Sequence, residues 1–149
     1  MILNRQRAVR AARGPLEAFL RRAKHELGLN EASLSVCLVS DTEIARMNET
    51  YRQKNGATDV LSFPAVVRRK PVRLRRGAPA VKTGEYLGDI AISPATARRY
   101  AKQNGRKVSS ELRVLILHGV LHLLGYDHET DRGEMKRVER RLRKRLGLA

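Results

Sequence analysis

The chain has 149 residues, with 31 lysines and arginines against 15 acidic residues, and a formal net charge of +16. It has no run of eighteen apolar residues, no apolar signal region at its N-terminus and a single cysteine, Cys37, so we expect no transmembrane helix, no signal peptide and no internal disulfide. These features predict one cytoplasmic domain over residues 1–149. Its positive charge predicts that it binds a polyanion, either nucleic acid or an anionic membrane surface.

The first predicted elements are a helix and a strand. Residues 1–13 are expected to be a short strand or an irregular segment. A helix is predicted to begin at Gly14-Pro15 and to end at Gly28, with a buried face formed by Leu16, Phe19, Leu20, Ala23 and Leu27. The alternation of large and small residues over 33–40 then predicts a strand.

A second helix leads into a turn and another strand. Asp41 is the expected N-cap of this helix. Its inward stripe is predicted to consist of Ile44, Met47 and Tyr51. Asn55-Gly56 is a turn signal, and residues 59–63, DVLSF, are predicted to be a short buried strand.

The segment 65–86 is strongly basic. Its cations are Arg68, Arg69, Lys70, Arg73, Arg75, Arg76 and Lys82. The alternation of Val72 and Leu74 with arginines allows a protruding hairpin, whereas Pro71 and Pro79 equally allow a mobile loop. Both a solvated flap and an arm that binds phosphates fit this composition.

The strand predicted at 87–92 is followed by two helices. The first is expected to be capped by Ser93 before Pro94 and to end at Asn104-Gly105. The second, capped by Ser109 or Ser110, is apolar nearly all round, which predicts a central buried helix. His118 and His122 are therefore expected in the core. Gly119 in this helix predicts a close backbone contact.

The last predicted helix begins at Thr130 or Asp131. Its buried face is expected to contain Met135, Val138, Leu142 and Leu146. Its outer face is a solvated surface that also adds to the cationic field and carries Lys136, Arg137, Arg140, Arg141, Arg143, Lys144 and Arg145.

Residues 118–128, HGVLHLLGYDH, contain three of the four histidines. His118 and His122 are four apart, so on a helix they lie on one face, one turn above the other. Gly125 can end the helix and let the chain return, which would bring in His128 as a third ligand. Three imidazoles with one open position are typical of a catalytic zinc site, although nickel, copper or cobalt would also be accepted.

The same histidine spacing occurs in metzincin proteases, which carry a glutamate after the first histidine. Gly119 stands at that position, and the absence of this general base argues against peptide hydrolysis. Metal chemistry on a very basic chain instead suggests phosphodiester cleavage, for which Arg52 is a candidate charge-stabilising residue. Asp127 either orients a ligand or, as we favour, holds the turn; Asp59 and Asp89 are weaker candidates for site walls.

Three segments, 48–64 (NETYRQKNGATDVLSFP), 87–93 (LGDIAIS) and 118–128, resemble the YbeY family of bacterial endoribonucleases, in the family's order. The resemblance implies an α+β fold with a small mixed sheet of about four strands flanked by about five helices. It also implies one zinc ion held by His118, His122 and His128. The family's functional arginine corresponds to Arg52. Where the family often has proline, this chain has Ala57, and its segment 65–86 is longer and more basic.

The resemblance further implies a single-strand-specific, metal-dependent ribonuclease that matures ribosomal RNA, notably the 3′ end of the small-subunit RNA, and acts in ribosome quality control. Ribosomal RNA and the small subunit or its assembly factors are the implied partners. Arg52 and His118 are the predicted catalytic residues. The predicted RNA contacts are the basic helix faces and Arg68, Arg69, Lys70, Arg73, Arg75 and Arg76.

Two cleavage chemistries remain open: attack by a water molecule activated at the metal, and attack by the RNA's own 2′-hydroxyl group. End-group analysis separates them, because only the second leaves a 2′,3′-cyclic phosphate. Two other functions compete with the ribonuclease: a metalloprotease, and a ribosome-assembly RNA-binding factor in which the metal only stabilises the fold.

Overall fold

The computed structural model of the protein describes residues 1–53, 56–75, 77–127 and 129–148. In this part of the chain the elements are, in order, β1 (Ile2–Asn4), α1 (Arg13–Leu27), β2 (Ser33–Leu38), α2 (Asp41–Arg52), β3 (Val60–Pro64), β4 (Tyr86–Ile92), α3 (Pro94–Gln103), α4 (Val108–Leu123) and α5 (Glu134–Arg145). This α+β architecture confirms the expected fold class. Among the described helices, none has the length and apolar character needed to cross a membrane.

The sheet has the strand order β1-β2-β4-β3. The first three of these strands are parallel, and β3 pairs antiparallel with β4 at the edge. Alternate residues of β4 point to opposite faces of the sheet. Ile90 and Ile92 therefore join the main core with α1 and α4, whereas Ala91 joins a second cluster with Ile44 of α2 and Leu61 of β3. Helices consequently cover both faces of the sheet.

Gly28 ends α1, as predicted, in a left-handed conformation with a φ of 72°. A Cβ atom at this position would lie 2.3 Å from the carbonyl oxygen of Ala78. The carbonyl group of Gly28 also accepts a hydrogen bond of 2.9 Å from the N–H group of Ala80. Glycine is thus required both by the backbone conformation and by the close approach of the basic segment.

The predicted cap of α2 is wrong. Ser40 is the N-cap, and its Oγ accepts a hydrogen bond of 3.1 Å from the Glu43 N–H group. Asp41 instead accepts hydrogen bonds from the hydroxyl groups of Ser93 and Thr96, at 2.5 Å and 2.7 Å. Its carboxylate therefore ties the start of α2 to the start of α3, a long-range role that local capping patterns do not reveal.

Two later helix starts also differ from the prediction. α4 begins at Val108, so Ser109 and Ser110 lie inside its first turn and provide no side-chain cap. α5 begins at Glu134. Asp131 precedes it, and its carboxylate accepts hydrogen bonds from the backbone N–H groups of Gly133 and Met135. Asp131, although outside the helix, thus provides hydrogen-bond acceptors for backbone N–H groups at the start of α5.

The predicted inward stripe of α2 is wrong at Tyr51, which is 67% exposed. Its ring meets Phe63 of β3 edge to face, with 5.2 Å between centroids. Asn48 is buried instead, and its Nδ2 donates a hydrogen bond of 3.1 Å to the Gly56 carbonyl group. The end of α2 therefore packs against the following turn through a polar contact. The other half of that predicted turn, Asn55, lies outside the described residues.

The described residues of the basic segment form no strand before β4, so the predicted hairpin is wrong. They form a loop, and this loop is hydrogen-bonded to the body of the protein. The Val72 N–H group donates to the Leu124 carbonyl group at 2.9 Å, and the Val72 carbonyl group accepts from the Tyr126 hydroxyl group at 2.9 Å. Val72 and Leu74 pack against the main core. The apolar residues Val72 and Leu74, whose alternation with arginines suggested a hairpin, therefore alternate because they pack against the core.

Gly119 lies where α4 crosses β4. A Cβ atom there would lie 2.8 Å from Cγ2 and 2.9 Å from Cδ1 of Ile90. The predicted close contact is confirmed, although the neighbour is a side chain and not backbone. The carbonyl group of Gly119 also accepts a hydrogen bond of 3.2 Å from the Ser62 hydroxyl group. Glycine thus lets the histidine helix approach β3 and β4 closely.

Gly119→Ala is expected to lower the free energy of unfolding, although alanine is the better helix former. Overpacking a core costs about 1–3 kcal/mol, and two Ile90 atoms closer than 3.0 Å place this site above the roughly 1 kcal/mol gained in helix propensity. Chemical denaturation measures the difference. Gly14→Ala is the control, because nothing lies within 4 Å of a Cβ atom at that helical position. Equal stability changes in the two variants would contradict the tight packing at Gly119.

Candidate metal centre and cleft

His118 and His122 project from the last turns of α4 and meet through their outer ring nitrogens. The two Nε2 atoms lie 3.0 Å apart, and the ring centroids are 4.6 Å apart with an interplanar angle of 75°. The expectation that these histidines lie inside the core is wrong. Both are half-buried, and the His118 side chain is 24% exposed, because their side of the apolar helix opens onto a cleft.

Glu139 of α5 lies behind His118. Its Oε1 atom is 3.4 Å from His118 Nδ1, the nitrogen that faces away from His122. Burial raises the pKa of Glu139, but its hydrogen bond with His118 and the nearby charge of Arg143 outweigh burial and lower that pKa below its usual value. Glu139 is not among the site residues predicted from the sequence. One signal was available: after Glu134, it is the only acid on a helix otherwise rich in cations.

The histidine pair has the chemistry and geometry of two metal ligands. Two imidazole nitrogens bound tetrahedrally at about 2.0–2.1 Å from a zinc ion are separated by roughly 3.3 Å, close to the 3.0 Å between the Nε2 atoms. A carboxylate that accepts from the other ring nitrogen is the usual support for such a ligand. His128, the third predicted ligand, lies outside the described residues, and within those residues no group of three or more His, Cys, Asp or Glu side chains could hold a metal.

The cleft beside the histidines has a volume of about 610 Å³. Arg52, at the end of α2, and Asp59 line it together with His118 and His122. Val60, Ser62 and Pro64 of the edge strand β3 also line it, as alternate residues of a strand should. The structure therefore brings the predicted arginine and the first two predicted metal ligands, which are distant in sequence, into one cleft.

A family model described as Endoribonuclease YbeY matches residues 2–147 of the chain. The chain belongs to this family. It is 42% identical over 144 residues to the endoribonuclease YbeY of Solibacter usitatus (strain Ellin6076), and this alignment covers 96% of this chain and 86% of that protein. It is 41% identical over 148 residues to the endoribonuclease YbeY of Koribacter versatilis (strain Ellin345), covering 99% and 86%.

The fold is also similar to a solved structure. The solution structure of TM1509 from Thermotoga maritima matches with a TM-score of 0.60 and 24% sequence identity, covering 98% of this chain and 89% of that one. This likeness supports the architecture of the sheet and helices. The family model covers nearly the whole chain and includes the three motif segments 48–64, 87–93 and 118–128.

The three candidate aspartates have different places in this YbeY-family fold. Asp59 lines the cleft, whereas Asp89 does not: it is exposed, and its carboxylate accepts a hydrogen bond from the Tyr86 hydroxyl group. Asp127 lines the cleft, but its Oδ1 accepts a hydrogen bond of 3.0 Å from the Glu129 N–H group. That bond holds the turn after α4, as we favoured.

The basic residues that were predicted to contact RNA lie in two different places, inside the cleft and outside it. Arg68 lines the cleft, where it forms an ion pair of 2.7 Å with Glu85. The others that are described are exposed but do not line the cleft: Arg69, Lys70, Arg73 and Arg75. Arg76 lies outside the described residues. The basic segment thus contributes one cation to the cleft, and its other described cations are on the outer surface.

Proposed function

We propose that the protein is a zinc-dependent, single-strand-specific endoribonuclease of the cytoplasm, which matures ribosomal RNA at the 3′ end of the small-subunit RNA and acts in ribosome quality control. The observation that carries this proposal is the placement of Arg52 and the His118–His122 pair in one cleft of a YbeY-family chain. The net charge of +16 suits a polyanionic substrate. The single-strand preference and the ribosomal role rest on the family resemblance.

In this proposal, His118, His122 and His128 hold one zinc ion, which when bound supplies a Lewis acid for a phosphate oxygen or for water. The carboxylate of Glu139 accepts a hydrogen bond from the Nδ1–H group of His118. This keeps the Nε2 atom of His118 unprotonated and directed toward His122. Gly119 leaves room for the close packing of α4 and supplies no carboxylate. That absence favours a phosphodiester over a peptide as substrate.

Arg52 is proposed to bind the scissile phosphate and to stabilise the charge that develops there. Its side chain is exposed at the cleft, and its planar guanidinium group can donate two parallel hydrogen bonds to phosphate oxygens. His118 is proposed to act both as a ligand and as a catalytic residue. Arg68 is proposed to contact RNA inside the cleft, while Arg69, Lys70, Arg73, Arg75 and Arg76 contact RNA outside it.

Chelation of the metal is expected to abolish cleavage of single-stranded RNA, and added zinc is expected to restore it. Metal analysis of the purified protein should find about one zinc ion per chain, the stoichiometry of a three-histidine site. Duplex RNA should be cut far more slowly. A His122→Ala preparation purified in parallel detects contaminating ribonucleases. Cleavage that survives chelation, or chelator-sensitive turnover of a peptide library, would contradict the proposal.

A further inference from the structure

A second concave surface lies between the start of α4 and the outer face of α5. Its volume is about 450 Å³, and Glu139 and Leu148 form part of its lining. The remaining lining residues are all cations: Arg106, Lys136, Arg140, Arg143 and Lys144. This surface, defined by these seven residues, is named the basic groove.

The concentration of positive charge in the basic groove is not explained by the stability of the fold. Lys136, Arg140 and Lys144 follow one another at intervals of four residues on α5, where like charges destabilise a helix. All three are exposed. Arg106 has a partner in Glu111 at 3.3 Å but remains 39% exposed. Glu139, the one acid in the lining, is directed to His118. A bound polyanion would relieve this repulsion.

The basic groove adjoins the cleft. Glu139 lines the groove, its Oε1 atom lies 3.4 Å from His118 Nδ1, and His118 lines the cleft. The two concave surfaces are therefore separated by little more than one pair of side chains. In the proposed function, this contact places the basic groove next to the site of the reacting phosphate.

The chemistry of α5 favours RNA over an anionic membrane as the occupant. A helix that lies on a membrane buries an apolar face in the lipid. The apolar residues of α5 instead pack in the protein core, as predicted: Met135 and Leu142 are buried, and Val138 is partly buried against them. Cations that line a concave surface without exposed aromatic side chains suit a phosphate backbone and give no reading of base sequence.

We propose that the basic groove binds the phosphate backbone of the RNA beside the segment held in the cleft. This inference rests on the proposed ribonuclease function and deepens it, because it assigns the flanking RNA to a particular surface. Of the basic face of α5, the cations that line the groove contact phosphates, whereas the exposed Arg137 and Arg141, which do not line it, remain in solvent.

The test compares two charge-reversed variants of equal net charge. Lys136→Glu with Arg140→Glu alters the groove, and Arg137→Glu with Arg141→Glu alters exposed residues of α5 outside it. Binding of a long, nuclease-resistant single-stranded RNA is measured by fluorescence anisotropy over a range of salt concentrations. Loss of two phosphate contacts should reduce the slope of log K against log salt by about 1.4. The control variant should change that slope much less.

Equal slopes in the two variants would overturn the inference, because net charge alone would then account for binding. An unchanged slope in the groove variant would overturn it as well, and so would tighter binding to anionic vesicles than to RNA. Circular dichroism melting checks that both variants are folded. Cleavage of a short single-stranded RNA by the wild-type protein is measured separately: if it fails, the proposed function fails, while the slopes still decide whether the groove binds RNA.

Discussion

Arg52→Ala is expected to lower kcat/KM for RNA cleavage by about a hundredfold to a thousandfold, the loss typical when one preorganised charge-stabilising donor is removed. The structural reason is the position of Arg52, which lines the same cleft as His118 and His122. Arg52 is at the end of α2, before β3 in the chain, whereas the histidines are in α4. It is exposed, so its removal should change the melting temperature little. Cleavage kinetics, melting and zinc content together check this expectation.

Arg46→Ala is the matched control for Arg52. Arg46 is an exposed arginine of the same helix and does not line the cleft. Arg52→Lys is expected to recover only part of the lost rate, because lysine keeps the charge without the planar pair of donors. Full activity in Arg52→Ala, or an equal loss in Arg46→Ala, would show that α2 acts through general positive charge and would remove Arg52 from the proposed chemistry.

Glu139→Gln is expected to weaken zinc binding by about tenfold to a hundredfold, the usual effect of losing the hydrogen-bonding partner of a metal-binding histidine. The contact concerned joins Glu139 Oε1 to His118 Nδ1 at 3.4 Å. Glutamine has almost the same shape as glutamate but lacks its charge, so it supports the imidazole less strongly. Competition with a zinc-binding dye gives the affinity directly, independent of any cleavage assay.

Glu134→Gln is the control for Glu139, because it makes the same chemical change at an exposed position in the first turn of α5. Its zinc affinity should equal that of the unmodified protein. If Glu139→Gln also binds zinc as tightly as the unmodified protein, the carboxylate does not orient His118. A loss of affinity accompanied by a large fall in melting temperature would indicate a purely structural role.

Most elements of the fold were predictable because their signals are local. The periodicity that gave α1 its buried face is confirmed, as is the end of that helix at Gly28. The predicted roles of single capping and stripe residues in α2 were less reliable. Local patterns predict Asp41 as a helix cap and Tyr51 as a buried stripe residue. In the structure, Asp41 instead accepts hydrogen bonds from the start of α3, and Tyr51 is exposed beside Phe63. Contacts between distant segments decided both cases.

The basic segment shows the same division. Its composition correctly indicated an unusual, cationic surface, but its conformation depends on partners elsewhere in the chain. Val72 is held by Leu124 and Tyr126, and Ala80 by Gly28. None of these hydrogen bonds leaves a periodic trace in the sequence, so a hairpin and a loop were equally consistent with it. The packed arrangement was visible only in the folded protein.

The sequence by itself determined the histidine pair, because residues four apart on a helix must share a face whatever surrounds them. It also determined, through the glycine at position 119, that the usual base of the metzincin spacing is absent. Only the tertiary structure decided that the pair opens onto a cleft with Arg52, that Glu139 stands behind His118, and that four cations of α5 meet Arg106 in one groove. The physical reason is that these contacts depend on how helices pack across the sheet, which local periodicity does not specify.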